Sequence, residues 1–149
     1  MGVSWAERSI EIEASPRVCF GAIVDYETFP DWQEAVLRVE VLDRYEDGLG
    51  RTVELHVDAR FRRVRYRLLY HYEPPLRVWW DFLEADGVEQ IEGEYLFEPS
   101  GEGTRATYTL GIDPGVPVPG PIARTLNRGV MRRSVEDLKA EAERRGRTS

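Results

Sequence analysis

From Val36 to Ile112 apolar and polar residues alternate with a period of two, and short clusters of turn residues interrupt the alternation at regular intervals. The pattern predicts strands at 36–42, 51–59, 62–72, 76–84, 88–98 and 104–112. Glu46-Asp47-Gly48, Pro74-Pro75, Asp86-Gly87 and Ser100-Gly101-Glu102-Gly103 mark the turns. None of these connections is long enough for a crossover helix, so an antiparallel meander is expected. Each strand has two unlike faces. Val53, Leu55 and Val57 oppose Glu54, His56 and Asp58; Val64, Tyr66, Leu68 and Tyr70 oppose Arg63, Arg65 and Arg67; Tyr95 and Phe97 oppose Glu94, Leu96 and Glu98. His56 and His71 fall on the charged face and read as surface residues.

The flanking segments have other periods. Residues 5–13 alternate Ile10 and Ile12 against Glu11 and Glu13, as a half-buried first strand does. Ser15-Pro16 is a helix start: the hydroxyl can accept an orphan N–H, and proline at the first helical position has none to lose. Val18, Cys19, Ala22 and Ile23 then recur at helical spacing, which makes Cys19 a small buried hydrophobe rather than a nucleophile. Residues 25–32, with Tyr26, Phe29 and Trp32 around Pro30, predict a second short helix or turn. After the proline-rich linker 112–121, Ile122, Leu126, Val130, Val135, Leu138 and Ala142 trace a drifting apolar stripe. A helix from Pro121 to Arg145, about 24 residues and ~36 Å long, would cross the whole sheet. Residues 146–149 are expected to fray. The chain is thus read as one α+β domain over residues 1–149, a curved antiparallel sheet of about seven strands around a long C-terminal helix, with two short helices after the first strand.

Composition narrows the function. The chain of 149 residues carries a net charge of −7, with 42% hydrophobic and 32% charged residues. That is too apolar for disorder, and no apolar run approaches a membrane span, so a soluble cytoplasmic protein without membrane insertion is expected. An acidic surface disfavours nucleic acid as a partner. The basic clusters, Arg60, Arg62, Arg63, Arg65 and Arg67 in one hairpin and Arg124, Arg128, Arg132, Arg133, Arg144 and Arg145 on the terminal helix, read as solvated faces balanced by Glu and Asp. A lone cysteine excludes an internal disulfide, and with two histidines it makes too small a set for a zinc site; no cofactor is implied.

A twisted sheet with one helix along its concave side leaves space that large side chains or a ligand must fill. Tyr66, Tyr70, Trp80, Phe82, Tyr95, Phe97 and Tyr108 all fall on the predicted inner face, and Leu126, Asn127, Val130 and Ser134 on or beside the helix stripe. Rings with polar tips suit a packed core with paired hydroxyls, or a pocket with an apolar lining and a few orienting groups. As a set they point to a pocket for a small apolar ligand. Gly93 would permit a sheet bend or a close helix approach, and Gly129 would let the helix pass near the sheet or a ligand.

The ordered set SPRVCFGAIVD, YETFPDW, VLRVEVLDR, EGEYLFEP, GTRATYTLGID and VPVPGPIARTLNRGVMRRSVEDLKAEAE resembles the START-related (SRPBCC) superfamily. That superfamily includes bacterial polyketide cyclase/dehydrase-like proteins, coenzyme-Q-binding proteins and the birch-pollen-allergen fold. The resemblance covers nearly the whole chain. It implies the helix-grip fold and a deep hydrophobic cavity capped by the C-terminal helix. It does not choose among lipid, quinone and polyketide ligands.

No GxSxG elbow, Walker loop, HExxH helix or dinucleotide fingerprint occurs. On the facing assignment almost every Asp, Glu and His points outward, so no catalytic constellation is identified. A cofactor-free polyketide cyclase, aromatase or dehydratase is the alternative to a carrier, with Tyr66 or Tyr95 as proton donors that would need a cationic neighbour. A third reading is a protein-interaction module, monomeric or homodimeric, with Trp79, Leu83 and Leu96 as an outer apolar patch.

Overall fold

The computed structural model describes residues 3–58, 63–115 and 118–148. The expected strands are all present: β1 (Ser4–Ile12), β2 (Val36–Arg44), β3 (Gly50–Asp58), β4 (Arg63–Glu73), β5 (Arg77–Asp86), β6 (Gln90–Ser100) and β7 (Gly103–Asp113). They form one antiparallel sheet in the order β1-β7-β6-β5-β4-β3-β2. The meander runs from β2 to β7, and β1 closes the far edge against β7, Ser4 opposite Ile112 and Ile12 opposite Thr104. The chain between β1 and β2 must therefore travel from one edge of the sheet to the other. It does so through α1 (Pro16–Ile23), a single 3₁₀ turn at Tyr26–Thr28, and α2 (Phe29–Trp32). Ser15 caps α1, its Oγ accepting the Val18 N–H at 3.3 Å. Gly48 and Gly87 take the positive φ that their turns require, 91° and 102°.

The last helix, α3, spans Gly120–Thr148, longer than the sequence pattern suggests. Residues 146–148 belong to it, and Ser149 lies outside the described residues, as do Arg60 and Arg62 of the predicted arginine hairpin. The buried side of α3 also differs from the predicted stripe. Asn127, Met131, Val135, Leu138 and Ala142 are buried, while Ile122 and Leu126 are 52% and 41% exposed. Five residues spaced four, four, three and four apart hold one helical face, docked on β1 and β7. Arg145 anchors the C-terminal end, reaching Asp25 Oδ2 at 3.1 Å and Glu141 Oε2 at 2.6 Å.

Packing is dense where α1 wedges between α3 and the ends of β6 and β7. Cys19, Ala22, Phe97, Ala106, Leu138 and Ala142 have no exposed surface there. Burial raises the Cys19 thiol pKa, consistent with an inert core residue. The outer face of the sheet is an ion-pair lattice. Glu54 accepts from Arg67 Nε at 2.8 Å, Arg65 Nη1 at 3.1 Å and lies 3.0 Å from His56 Nε2. Those bonds, Arg67 first, hold its carboxyl down to about 2. Trp79 also faces outward, stacked on His71 at 5.3 Å and covered by the Arg77 guanidinium at 4.1 Å. It is therefore partly capped by its own neighbours, not laid open as an apolar patch.

Candidate ligand cavity

Between the sheet and one side of α3 lies a cavity of about 620 Å³, which Ile23 at the end of α1 and Phe29 of α2 also border. Val36 of β2, Leu55 and Val57 of β3, Val64 and Leu68 of β4, Val78 of β5, Ile91 of β6, and Leu110 and Ile112 of β7 give it an apolar wall. These are the inward positions of the period-two pattern, so the lining follows directly from strand alternation.

Of the eleven residues predicted for the site, nine border the cavity: Tyr66, Tyr70, Trp80, Tyr95, Tyr108, Leu126, Asn127, Val130 and Ser134. Phe82 and Phe97 do not. Phe97 lies two residues nearer the α1 end, where it stacks on Tyr95 at 5.8 Å inside the packed core. Phe82 lies beyond the last β5–β6 pair, Trp80 with Gly93, after which β5 keeps only β4 as a ladder partner. Strand alternation gives the face of a residue but not its position between the packed and hollow ends.

The polar groups of the wall fall into two kinds. The hydroxyls of Tyr26, Tyr45 and Tyr72, outside the cavity, are paired: Tyr72 donates to Gly50 O at 2.6 Å, Tyr45 to Tyr70 O at 2.6 Å, and the Tyr26 and Tyr72 oxygens are 2.6 Å apart. The cavity-lining phenols Tyr66, Tyr70, Tyr95 and Tyr108 have no hydrogen-bond partner among the described residues. Tyr95 and Tyr108 stack face to face at 4.3 Å, and Trp80 leans on Tyr70 at 5.6 Å and on Tyr108 at 6.0 Å. Burial raises the pKa of all four phenols, so each stays protonated at neutral pH and offers an O–H donor.

Asn127 is held from behind. Its Nδ2 donates to Ser4 O at 2.9 Å and Leu110 O at 3.2 Å, tying α3 to β1 and β7 and leaving Oδ1 without a partner. Trp80 Nε1 is likewise buried and unpaired. A buried unpaired donor or acceptor costs about 1–3 kcal/mol, and native proteins keep few of them. Both belong to wall residues of the cavity.

The two glycines resolve differently. A side chain at Gly93 would meet the Thr109 carbonyl and Trp80 Cζ2, the latter at 2.9 Å, so it is the neighbouring strand and the Trp80 ring that demand glycine, not the helix. Gly129 borders the cavity with nothing within 4 Å of where its Cβ would be, so no close approach on that side requires glycine.

Sequence reasoning missed the charged part of the lining. Asp137, Asp58, Arg8, Arg128, Arg132 and Arg133 all border the cavity. The signal was present for two of them. Asp137 continues the line Leu126, Val130, Ser134 at helical spacing, and Arg8 shares strand parity with Ile10 and Ile12. Asp137 Oδ2 accepts the Glu34 N–H at 3.2 Å, and partial burial raises its carboxyl pKa. Among the described residues no cluster of His, Cys, Asp and Glu could hold a metal ion, and no helix is long and apolar enough to cross a membrane.

Residues 6–143 match the family model described as polyketide cyclase / dehydrase and lipid transport. The chain belongs to that family. Solved structures agree on the helix-grip fold of this polyketide cyclase-like chain. A START superfamily protein from Mycobacterium smegmatis superposes with a TM-score of 0.89 at 21% identity, over 96% of this chain and 99% of that one. The Zhui aromatase/cyclase from a Streptomyces species gives 0.79 at 21% identity, over 96% and 95%. A Thermus thermophilus protein gives 0.78 at 24% identity, over 97% of both chains. No curated protein matches the sequence.

Proposed function

We propose that this family member binds and carries a small, mainly apolar ligand with at least one carbonyl or hydroxyl group, acting in the cytoplasm as a monomer or homodimer. What carries the reading is the unfilled cavity, of the size of small-molecule sites, whose apolar wall is studded with four unpartnered phenols. Phenols kept protonated by burial are donors suited to a ligand oxygen and poor bases. The family description, with lipid transport in it, supports the same reading. The test is native mass spectrometry of freshly purified protein followed by identification of extracted adducts, paired with titration of an apolar probe. Val130→Trp, which puts an indole into the cavity, should lower probe affinity at least about tenfold, and Trp80→Ala should weaken it as well. Equal affinity in all three proteins would remove the cavity as a binding site.

A second reading, cofactor-free cyclisation of a polyketone, is favoured by one observation, the carboxyl of Asp137 on the cavity wall with its pKa raised. A carboxylate there could take a proton α to a ketone while a phenol donates to the oxygen. The aromatase/cyclase among the structural neighbours is in keeping with it. Turnover of a polyketone above the spontaneous rate, lost in Asp137→Asn with binding retained, would select this reading over carriage alone.

A further inference from the structure

We propose that the ligand is an anionic amphiphile, its carboxylate or phosphate head held at an arginine rim and its apolar chain lying among the phenols; this rests on the cavity reading above. The rim consists of Arg8 on β1 and Arg128, Arg132 and Arg133 on α3, all bordering the cavity. The cavity wall reverses the charge of the molecule. It carries four arginines against Asp58 and Asp137, in a chain with 27 acidic and 20 basic residues.

These arginines lack the carboxylate partners that hold the arginines of the outer face. On the outer face and at the C-terminal end of α3, Arg65, Arg67, Arg77, Arg144 and Arg145 all sit within ion-pair distance of carboxylates. Arg8, Arg128, Arg132 and Arg133 have no such pair among the described residues. Arg133 feels Asp137 one turn along without pairing to it, and that carboxylate is committed to the Glu34 amide. Unpaired guanidiniums around a cavity are donors awaiting an acceptor, and their planar fork fits carboxylate and phosphate oxygens.

Position completes the argument. Arg8, Arg128 and Arg132 are exposed, which puts them at the mouth rather than in the depth. Arg128 and Arg132 are one helical turn apart and so can converge on one head group. Leu126 and Val130, on another face of the same segment, also line the cavity. The same helix segment thus carries apolar and cationic residues that border the cavity from different faces. A free polyanion gains nothing from the hollow behind the rim, and a neutral lipid gains nothing from the rim.

Calorimetric titration of the full chain with dodecanoate and with dodecanol, below their aggregation concentrations, tests this. Dodecanoate should bind about tenfold more tightly than dodecanol, with the gap narrowing as salt is added. The Arg128→Gln/Arg132→Gln double variant, altered only at exposed positions, should retain dodecanol affinity and lose the preference. Equal affinity of the two ligands for the unaltered protein, or a preference that survives in the double variant, overturns the arginine rim while leaving the cavity reading in place. Failure of both ligands to bind overturns the cavity reading and the rim with it.

Discussion

Near Ala142 the space between α3 and the sheet is filled by side chains with no exposed surface, whereas the Leu126 and Val130 side of the same helix faces a cavity of about 620 Å³. The difference is a third element. At the packed end α1 supplies Cys19 and Ala22 to the gap, and Phe97 and Ala106 meet them from β6 and β7; Ile23, at the end of α1, already borders the cavity. At the other end no helix among the described residues takes that place, and Tyr95, Tyr108, Tyr66 and Tyr70 end in hydroxyls without a described partner. Stability is thereby concentrated where α1 packs, and the hollow end is left to bind.

The largest effect should come from truncating the same kind of group at the two ends. Leu138→Ala empties a site with no exposed surface and should cost about 2–5 kcal/mol in urea unfolding. Val130→Ala, beside an existing void, should cost below about 1 kcal/mol because few contacts are lost. Equal costs would mean that the hollow end closes up in solution.

Tyrosines sharpen the contrast. Tyr72→Phe leaves Gly50 O and the Tyr26 hydroxyl without their partner and should cost about 1–2 kcal/mol. Tyr66→Phe removes a hydroxyl that bonds nothing and should leave stability within about 0.5 kcal/mol while weakening a ligand with a carbonyl oxygen. Thermal unfolding with and without probe separates the two. A destabilised Tyr66→Phe would show that its hydroxyl is already paired, and the wall would lose one of its donors.

The fold was legible because its signals are local. Period-two runs, Asp-Gly turns and the Ser15-Pro16 cap each specify an element without reference to the rest, and the inward parity of Tyr66, Tyr95 and Trp80 follows from the strands alone. What the sequence could not place is depth. Phe97 and Tyr95 share a face and differ by two positions, yet Tyr95 borders the cavity and the fully buried Phe97 does not. Ile122 looked like part of the buried stripe because helical spacing continues through it, but the buried face runs through Asn127, Met131 and Val135, and Ile122 lies off it. Arg8 and Asp137 were passed over because charge was read as solvent-facing, a rule that fails where the interior is itself open to solvent.

Gly129 offers a smaller, opposite effect. Gly129→Ala should stabilise the protein by up to about 1 kcal/mol, since helix propensity rises and the added methyl meets nothing. Gly129→Leu should keep most of that gain and reduce probe affinity, as its side chain enters ligand space. A destabilised alanine variant would mean that α3 approaches the sheet more closely in solution.

The smallest effect is electrostatic and sets the cavity wall against the outer face. Glu54, on the outside, has its carboxyl pKa held down to about 2 by Arg67, His56 and Arg65; the stability it gives is present above its ordinary 4.5 and lost as pH falls toward 2. Asp137, on the wall, is shifted the other way by burial, so the folded protein binds that proton more tightly than the unfolded chain. Its contribution is therefore greatest below 3.8, its ordinary value, and is lost as pH rises through the folded value above that. Asp137→Asn keeps an acceptor for the Glu34 amide and removes the charge, so it should raise stability at neutral pH by a few tenths of a kcal/mol, solvent screening allowing no more. The gain should vanish in urea midpoints measured below pH 3.8, where the wild-type carboxyl is already neutral. An apolar ligand that displaces water from around Asp137 should enlarge the neutral-pH difference, because it deepens the same burial. A gain that is independent of both pH and ligand would detach Asp137 from the cavity, and with it the one carboxylate on which a cyclase reading rests.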